Sequence, residues 1–203
     1  MVSCFRHQLK NVLAVFALLS VCFEMGMNWG NLVDSLDSQF GYEDRSTYTE
    51  NYNRKEALVQ QACRLDSGWY RLEDKTRRNA NDAFSLGYHG LAHYSSFTNR
   101  NMSSFLSRLG VSARVQGRFL RYSGSSNVID SLLGIRYVIG RRAPHQDYVP
   151  AAEIDGFRLY ENPDALPAGF IATDLGGFHI AQDENVFEAQ NHLMSALLGE
   201  EKE

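Results

Sequence analysis

The sequence predicts an α+β protein in which an N-terminal transmembrane helix precedes an extracytoplasmic domain with a mixed β-sheet packed by helices. Three observations predict this fold class. An apolar run of membrane-spanning length follows two cations near the N-terminus. Beyond it, segments with helical periodicity alternate with short β-rich segments. The composition, 44% hydrophobic and 22% charged, is that of an ordinary folded chain.

The stretch NVLAVFALLSVCFEMGMNW at 11–29 is predicted to cross a membrane, because its length matches the roughly 17–25 apolar residues that a spanning helix needs. Arg6 and Lys10 precede it. The positive-inside rule then predicts that residues 1–10 stay in the cytoplasm and that residues 30–203 are exported. The lipid bilayer is therefore an expected partner.

Two other kinds of N-terminal signal are alternatives to a spanning helix. A cleaved signal peptide shares the charged start, but no A-x-A-like cleavage site follows. A lipoprotein signal requires a small residue before its cysteine, whereas Val21 precedes Cys22. If the segment spans the membrane, Cys63 is the only exported cysteine, and no intrachain disulfide is expected in the exported domain.

The exported part divides into three segments by composition. Residues 30–52 are polar and are interpreted as a connecting segment. Residues 53–182 are predicted to form the extracytoplasmic α+β domain. Residues 183–203 contain a C-terminal helix that is expected to lead into further sequence.

The first half of this domain shows two helical patterns. NRKEALVQQACRL is predicted to begin a helix at Asn53, which has a capping spacing with Glu56. WYRLE is predicted as a strand, and the charged residues 74–83 as a loop. MSSFLSRLG is a second helix, which Gly110 is placed to end. Its predicted apolar face consists of Met102, Phe105, Leu106 and Leu109.

The second half is organised around DSLLGIRYVIG at 130–140. Here Gly134 is predicted to cap a helix in the left-handed conformation before the strand IRYVI. The Asp-Gly pair in AAEIDGFRLYE predicts a hairpin that Pro163 ends. GFIAT at 169–173 is a further predicted strand, and NVFEAQNHLMSALLG a final helix. The predicted buried faces of the two helices are Val128, Ile129, Leu132 and Leu133, and Phe187, Met194 and Leu198.

The loop GYHGLAHYSSFTNRN at 87–101 is the most suggestive polar stretch for ligand binding. Its aromatic rings can stack on sugar rings, and its hydroxyl and amide groups can orient a polar ligand. The candidate ligand-binding residues are Tyr88, His89, His93, Tyr94, Ser95, Ser96 and Asn99. The alternative is that the same groups satisfy the backbone of their own loop.

Metal binding and nucleophilic catalysis find little support in this loop. His89 and His93 have the spacing of helical metal ligands, but two glycines oppose a helix and no third ligand is evident, so no metal site is predicted. Ser95, His93 and Asp82 could supply a catalytic triad on paper, yet no G-x-S-x-G turn is present.

No other residues predict catalysis or a cofactor. Asp130 and Glu161 could form an acid pair, but they are predicted to be solvated surface carboxylates. The sequence contains no phosphate loop or dinucleotide fingerprint, so no cofactor is expected. A net charge of −4 without a Lys/Arg run gives no electrostatic support for a nucleic-acid partner. No catalytic residue is therefore predicted.

Four phrases resemble, in order and spacing, the bacterial YfhO-like membrane proteins. They are NDAFSLGYHGLAHYSSFTNRNMSSFLSRLG, DSLLGIRYVIG, YENPDALPAGF and VFEAQNHLMSALLG. The run VLAVFALLSVCFEMGMN also looks like that family's transmembrane helix before its large extracytoplasmic region. The resemblance covers nearly the whole chain.

This resemblance implies a polytopic, glycosyltransferase-like protein of the bacterial cell membrane. Such a protein takes sugar from a polyprenyl-phosphate carrier and glycosylates an envelope glycopolymer of the lipoteichoic acid type. This chain has one candidate membrane helix, so it is expected to be a fragment or a truncated product that is not catalytic alone. The alternatives are a membrane-tethered or secreted glycan-binding module without catalysis, and a secreted hydrolase.

Overall fold

The computed structural model describes residues 2–40, 43–114, 118–167, 169–172, 178–181 and 183–199. Two compact units are present, Met1–Tyr48 and Thr49–Glu203. The elements in chain order are α1 (Val2–Phe40), α2 (Arg45–Leu65), β1 (Arg71–Asp74), α3 (Asp82–Leu86), β2 (His93–Tyr94), α4 (Arg100–Arg108), β3 (Ser112–Arg114), β4 (Phe119–Arg121), α5 (Asn127–Leu132), β5 (Ile135–Gly140), β6 (Val149–Ile154), β7 (Phe157–Glu161) and α6 (Val186–Leu198). This arrangement confirms the predicted α+β class, with an N-terminal apolar helix and a mixed sheet packed by helices.

The first unit consists mainly of helix α1. Within α1, Lys10–Leu36 is long and apolar enough to cross a membrane, with a mean hydropathy of 1.7. The side chains of residues 10–35 are exposed all round. A helix with apolar side chains on every face suits a lipid solvent. The predicted span at 11–29 lies inside this helix, and its sidedness stays a prediction.

Helix α2 begins at Arg45, so the predicted helix start and cap at Asn53 are wrong. Asp44 provides the cap instead, because its Oδ2 accepts the backbone N–H of Ser46 at 3.0 Å. A carboxylate at this position also interacts favourably with the helix dipole, an advantage that Asn53 lacks. The segment 30–52, interpreted as a connection, is helical at 30–40 in α1 and at 45–52 in α2.

The larger sheet has the strand order β1-β5-β7-β6 and is mixed. Strand β1 runs parallel to β5, while the β5–β7 and β6–β7 pairs are antiparallel. The predicted Asp-Gly hairpin is confirmed, since β6 and β7 join through Asp155 and Gly156 with φ values of 45° and 83°. Both lie in the left-handed region that a two-residue hairpin turn requires. Strands β2, β4 and β3 form a second, antiparallel sheet.

Three buried apolar clusters hold the second unit together. One joins α2 to the larger sheet: Leu58, Val59, Ala62, Leu72, Leu86, Tyr137, Ile139, Phe157 and Leu159. The next joins α4, α5 and α6 across the smaller sheet: Leu106, Leu109, Val111, Leu120, Ile129, Ala189 and Leu193. The last lies between them and is rich in tyrosine: Ala92, Tyr122, Ile135, Val138, Tyr148 and Tyr160.

The predicted buried faces of α4 and α5 are correct only in part. On α4, Leu106 and the adjoining Leu109 are buried, whereas Met102 and Phe105 are exposed. On α5, Ile129 is buried and Val128 exposed; Leu132 and Leu133 are half-buried. Each helix is short and contacts the core along a narrow stripe. The periodic pattern of apolar residues therefore predicts more buried side chains than the helix has.

The predicted face of α6 is wrong for two of its three residues. Phe187 and Leu198 are exposed, while Ala189, Gln190 and Leu193 are buried. Small Ala189 permits close approach of the helices, and the side chain of Gln190 donates to the Leu109 carbonyl at 2.9 Å. A hydrogen-bonded glutamine thus occupies a place that hydrophobicity alone assigns to leucine or phenylalanine.

The predicted strand GFIAT is not observed at residues 169–172, the part of it that the structure describes. Thr173 lies outside the described residues. Ile171 is almost fully exposed, which a strand of the core would not allow. Among the described residues, no strand pairs with this segment, so its β-rich composition does not lead to a strand.

Candidate functional site

The loop predicted to bind a ligand lines a cleft of about 970 Å³ in the second unit. Six of the seven candidate residues lie along it: Tyr88, His89, His93, Tyr94, Ser95 and Asn99. Ser96 is exposed and is not among the lining residues. Trp69, Arg71, Phe84 and Met102 also contribute to the walls, from β1, α3, α4 and their flanks. Whether the cleft binds a ligand stays a prediction.

Several polar groups of the loop serve the loop itself. The side-chain Oδ1 of Asn99 caps α4 by accepting the backbone N–H groups of Asn101 and Met102 at 2.9 and 3.2 Å. The hydroxyl of Ser95 accepts the backbone N–H of Phe97 at 3.1 Å. The side chains of Asn99 and Ser95 therefore hydrogen-bond to the backbone of their own loop, as the alternative to ligand binding predicted.

His93 and Tyr94 differ in how much of each side chain is engaged by the loop. The Nδ1 of His93 lies 2.8 Å from the Leu91 carbonyl, which fixes the imidazole against the chain. Tyr94 is 48% exposed, and within the described residues its hydroxyl has no hydrogen-bond partner. Tyr94 is therefore a candidate residue whose ring and hydroxyl are both accessible to a ligand.

An aromatic and cationic stack stands at one end of the cleft. The imidazole of His89 stacks on the indole of Trp69, with ring centroids 5.2 Å apart and planes 21° apart. The guanidinium of Arg71 also lies 5.2 Å from the Trp69 ring centroid. Stacked rings held in this way are preorganised, which lowers the entropy lost on binding.

A buried carboxylate holds the floor of the cleft from behind. The Oε1 of Glu73 accepts the backbone N–H groups of Leu91 and Ala92, the latter at 3.1 Å, and both of these residues line the cleft. Burial raises the pKa of Glu73 to about 7. The hydrogen bonds from the two backbone N–H groups lower this pKa, but burial has the larger effect. The other oxygen, Oε2, has no hydrogen-bond partner within the described residues. Glu73 thus ties strand β1 to the cleft loop.

A second buried carboxylate, Asp130, corrects the prediction of a solvated surface residue. Asp130 is fully buried, and its Oδ2 accepts the hydroxyls of Tyr122 and Tyr148 at 2.7 and 2.9 Å. Burial raises the pKa of Asp130, while the two tyrosine donors lower it. Asp130 follows the N-cap of a short helix whose inner face turns into the tyrosine cluster, and its sequence spacing alone does not show this.

Glu161, the other member of the hypothetical acid pair, has different partners. It is half-buried at the end of β7, where its Oε1 lies 3.8 Å from Arg136. Asp130 instead lies with two tyrosines and with His145, whose Nε2 is 3.7 Å from Oδ2. The two carboxylates therefore belong to separate clusters.

The hypothetical triad and metal pair are not assembled. Asp82 accepts the backbone N–H groups of Arg78 and Asn79 rather than orienting His93. His89 stacks on Trp69, whereas His93 is bonded to a carbonyl, so the two rings have separate environments. Among the described residues, no group of three His, Cys, Asp or Glu side chains could hold a metal ion.

Sequence reasoning missed the buried charged residues beside the cleft. Glu73 and Asp74 are consecutive in β1 and both fully buried, although strand alternation would expose one of them. The signal in the sequence was weak: a strand that ends in two carboxylates, followed by a cationic segment. Their partners, Lys55 for Asp74 and Leu91 and Ala92 for Glu73, are distant in sequence.

Comparison with known proteins identifies a family over the full length. The family model described as bacterial membrane protein YfhO matches residues 1–203. No curated protein and no solved structure matches the chain.

Proposed function

We propose that this chain, which belongs to the YfhO family of bacterial membrane proteins, contributes a glycan-binding domain to the glycosylation of cell-envelope polymers outside the cytoplasm. The sugar donor in this proposal is a polyprenyl-phosphate-linked sugar, and the acceptor is a glycopolymer of the teichoic acid type. The resemblance of the four phrases supports the pathway class. The cleft supports the binding role.

The proposed placement of the domain follows from the N-terminal charges. Arg6 and Lys10 precede the apolar helix, and cations are retained on the cytoplasmic side of a membrane. Residues 30–203 then face outward. A lipid-linked sugar donor on that side of the membrane would have access to the cleft.

The observation that carries the binding role is the composition of the cleft wall. Aromatic side chains line it, and Tyr94 adds an accessible hydroxyl, so the wall matches the apolar ring faces and the hydroxyls of a sugar. The volume of about 970 Å³ is at the upper end of the range for small-molecule sites, which leaves room for more than one sugar ring.

Binding without turnover is the favoured role for this chain. No Asp or Glu is among the described residues that line the cleft. Glycosyl transfer commonly needs a carboxylate within hydrogen-bond reach of the acceptor hydroxyl. Glu73 is buried behind the floor, where its Oε1 is committed to two backbone N–H groups. The glycosyltransferase activity that we propose for the family would use residues other than these.

The test is glycan binding by the chain reconstituted in lipid nanodiscs. Saturation-transfer NMR with methyl glycosides of glucose, galactose and N-acetylglucosamine should show transfer to the ring protons of at least one sugar. Tyr94→Ala should weaken that binding about tenfold, as the loss of one aromatic contact of about 1.4 kcal/mol predicts. Tyr94 is a cleaner probe than His93, whose imidazole also supports the loop.

Tyr48→Ala is the matched control, because Tyr48 is 41% exposed and lies outside the cleft. It should leave sugar binding unchanged, and Tyr94→Ala should not lower the melting temperature of the domain. Absence of transfer to every sugar would contradict the proposal. Equal losses from both substitutions, or a loss that follows unfolding of the Tyr94→Ala variant, would contradict it as well.

A further inference from the structure

Two phenylalanines at the mouth of the cleft are unusually exposed. Phe97 is 97% exposed and Phe84 is 83% exposed, and both line the cleft. They come from separate segments, α3 and the loop before α4. Large apolar side chains grouped on a surface mark a place where a partner or a membrane binds.

The surroundings of this pair are basic, although the chain as a whole has a net charge of −4. Residues 69–121 contain nine Lys or Arg and three Asp or Glu, a balance of +6. Two of those three acids, Glu73 and Asp74, are fully buried, whereas Arg100 and Arg118 are exposed.

Two exposed arginines lie near the loop that contains Phe97, Arg100 in sequence and Arg118 through a backbone hydrogen bond. Arg100 is the first residue of α4, three positions after Phe97. Arg118 is held beside the loop because its carbonyl accepts the backbone N–H of Ser95 at 3.0 Å. Ser95 in turn accepts the N–H of Phe97. Arg100 and Arg118 thus adjoin Asn99 and Ser95, which line the cleft with Phe97.

A second set of exposed apolar residues provides a contrast. Ile171, Phe187 and Leu198 are 96%, 73% and 66% exposed. The segment that contains them, residues 166–199, has four Asp or Glu and no Lys or Arg. The negative charge of this segment would be repelled by an anionic surface. Both sets expose apolar side chains, but only the set with Phe84 and Phe97 also has nearby cations.

We infer that the lip formed by Phe84, Phe97, Arg100 and Arg118 rests on the surface of an anionic lipid bilayer. Aromatic side chains partition to the level of the lipid headgroups, and nearby arginines are attracted to anionic lipids. The occupant is a bilayer because the family is one of membrane proteins and the lip is complementary in charge to anionic lipid. This inference goes beyond glycan binding and does not depend on it.

Membrane contact at this lip would place the mouth of the cleft at the headgroup level. A sugar attached to a lipid carrier lies at that level, so its glycan could enter without leaving the membrane surface. A cleft mouth directed to bulk water would instead favour a soluble glycan. The position of the lip is therefore measurable independently of any sugar.

The experiment measures the distance of two phenylalanine positions from lipid in the full chain. Cys4, Cys22 and Cys63 are replaced by Ser, and a polarity-sensitive dye is attached to Phe97→Cys or, as the matched control, to Phe187→Cys. The proteins are placed in nanodiscs of phosphatidylglycerol that contain a headgroup-spin-labelled lipid. The dye at position 97 should be quenched and blue-shifted, and the dye at position 187 should be neither.

Charge dependence distinguishes docking on anionic lipid from unspecific contact. Arg100→Ser with Arg118→Ser should lower the ratio of docked to undocked domain by about tenfold or more, as the loss of two surface cations predicts. Raising salt from about 0.1 M to about 1 M should act in the same direction, because it shortens the Debye length from about 10 Å to about 3 Å. Arg64→Ser, an exposed cation on α2, should have little effect.

Three results would overturn the inference. One is a dye at position 97 that is no more quenched than the dye at position 187. Another is equal quenching at position 97 in phosphatidylcholine and phosphatidylglycerol nanodiscs. The last is an unchanged signal after both arginines are replaced, with the melting temperature of the domain preserved. The positions at which the dyes and the charge changes are introduced are exposed, so unfolding is not expected to confuse the outcome.

Discussion

The ammonium of Lys55 lies 2.7 Å from Oδ2 of Asp74, and both side chains are buried. Lys55 also donates to the Thr76 carbonyl at 2.8 Å, and Asp74 Oδ1 accepts the N–H of Thr76 at 2.6 Å. The pair joins helix α2 to the end of strand β1, the strand that also carries Glu73. An ion pair of this kind links the helix packed on the sheet to the floor of the cleft.

Lys55→Met should lower the free energy of unfolding by about 3–5 kcal/mol, because it leaves the Asp74 carboxylate buried without its cation. The measurement is urea unfolding of the chain in detergent micelles, followed by the near-ultraviolet circular dichroism of the buried tyrosines. Lys55→Met combined with Asp74→Asn should recover part of the loss, since the buried negative charge is then removed. A double variant as unstable as the sum of the two single ones would show that the two residues do not interact.

Substitutions in α5 and at Gly134, where this helix ends, should lower the free energy of unfolding by different amounts. Gly134 has a φ of 67°, a conformation that costs a β-branched residue at least about 1–2 kcal/mol. Ile129→Ala, at a fully buried position, should cost about 2–5 kcal/mol. Leu133→Ala should cost less than Ile129→Ala, because Leu133 is only half-buried against two of the clusters.

The same urea titration checks this ranking. Gly134→Val should destabilise the domain, and Gly134→Asn should destabilise it less, because asparagine tolerates the left-handed region. If Leu133→Ala proved as costly as Ile129→Ala, the burial of α5 described above would be wrong. If Gly134→Val were neutral, the left-handed conformation at Gly134 would be wrong.

Local signals in the sequence predicted the elements that are fixed locally. The left-handed Gly134 and the Asp155-Gly156 hairpin follow from backbone sterics at one or two residues, and both were predicted. The N-terminal apolar helix was predicted in the same way from its length and composition. The loop at 87–101 was selected for its residue types, and six of its seven candidates share one cleft.

Features that depend on distant partners were not predicted. Asp130 is buried because Tyr122 and Tyr148 donate to it from another strand end and another loop. Gln190 is buried because the Leu109 carbonyl, on a different helix, accepts its amide. A hydrophobicity pattern assigns such residues to the surface, since it contains no information about a polar partner brought close by the fold. The wrong face of α6 has the same origin.

Membrane sidedness is the prediction that decides where the domain operates. A reporter enzyme that is active only outside the cytoplasm, fused after Gly199, should be active, because Arg6 and Lys10 are expected to stay inside. The same reporter fused before Met1 should be silent. An inactive reporter after Gly199 would contradict the orientation. A mature N-terminus beyond Cys22 would instead show a cleaved signal peptide.

The pH dependence of stability follows from Glu73. Burial raises the pKa of Glu73 from 4.5 in the unfolded chain to about 7 in the folded domain. Between those values the folded state binds more protons than the unfolded state, so stability falls as pH rises. The full difference of about 2.5 pKa units corresponds to a loss of about 3 kcal/mol between pH of about 4 and about 8. The raised pKa of Asp130 acts in the same direction.

Glu73→Gln should remove the part of this slope that belongs to Glu73, because the amide carbonyl can still accept from Leu91 and Ala92 but no longer titrates. Urea unfolding at pH values of about 5 and about 8 measures the effect. Near pH 8 the variant should be more stable than the parent chain, since it avoids a buried charge. A Glu73→Gln variant that retained the full slope would show that groups other than Glu73 cause the pH dependence.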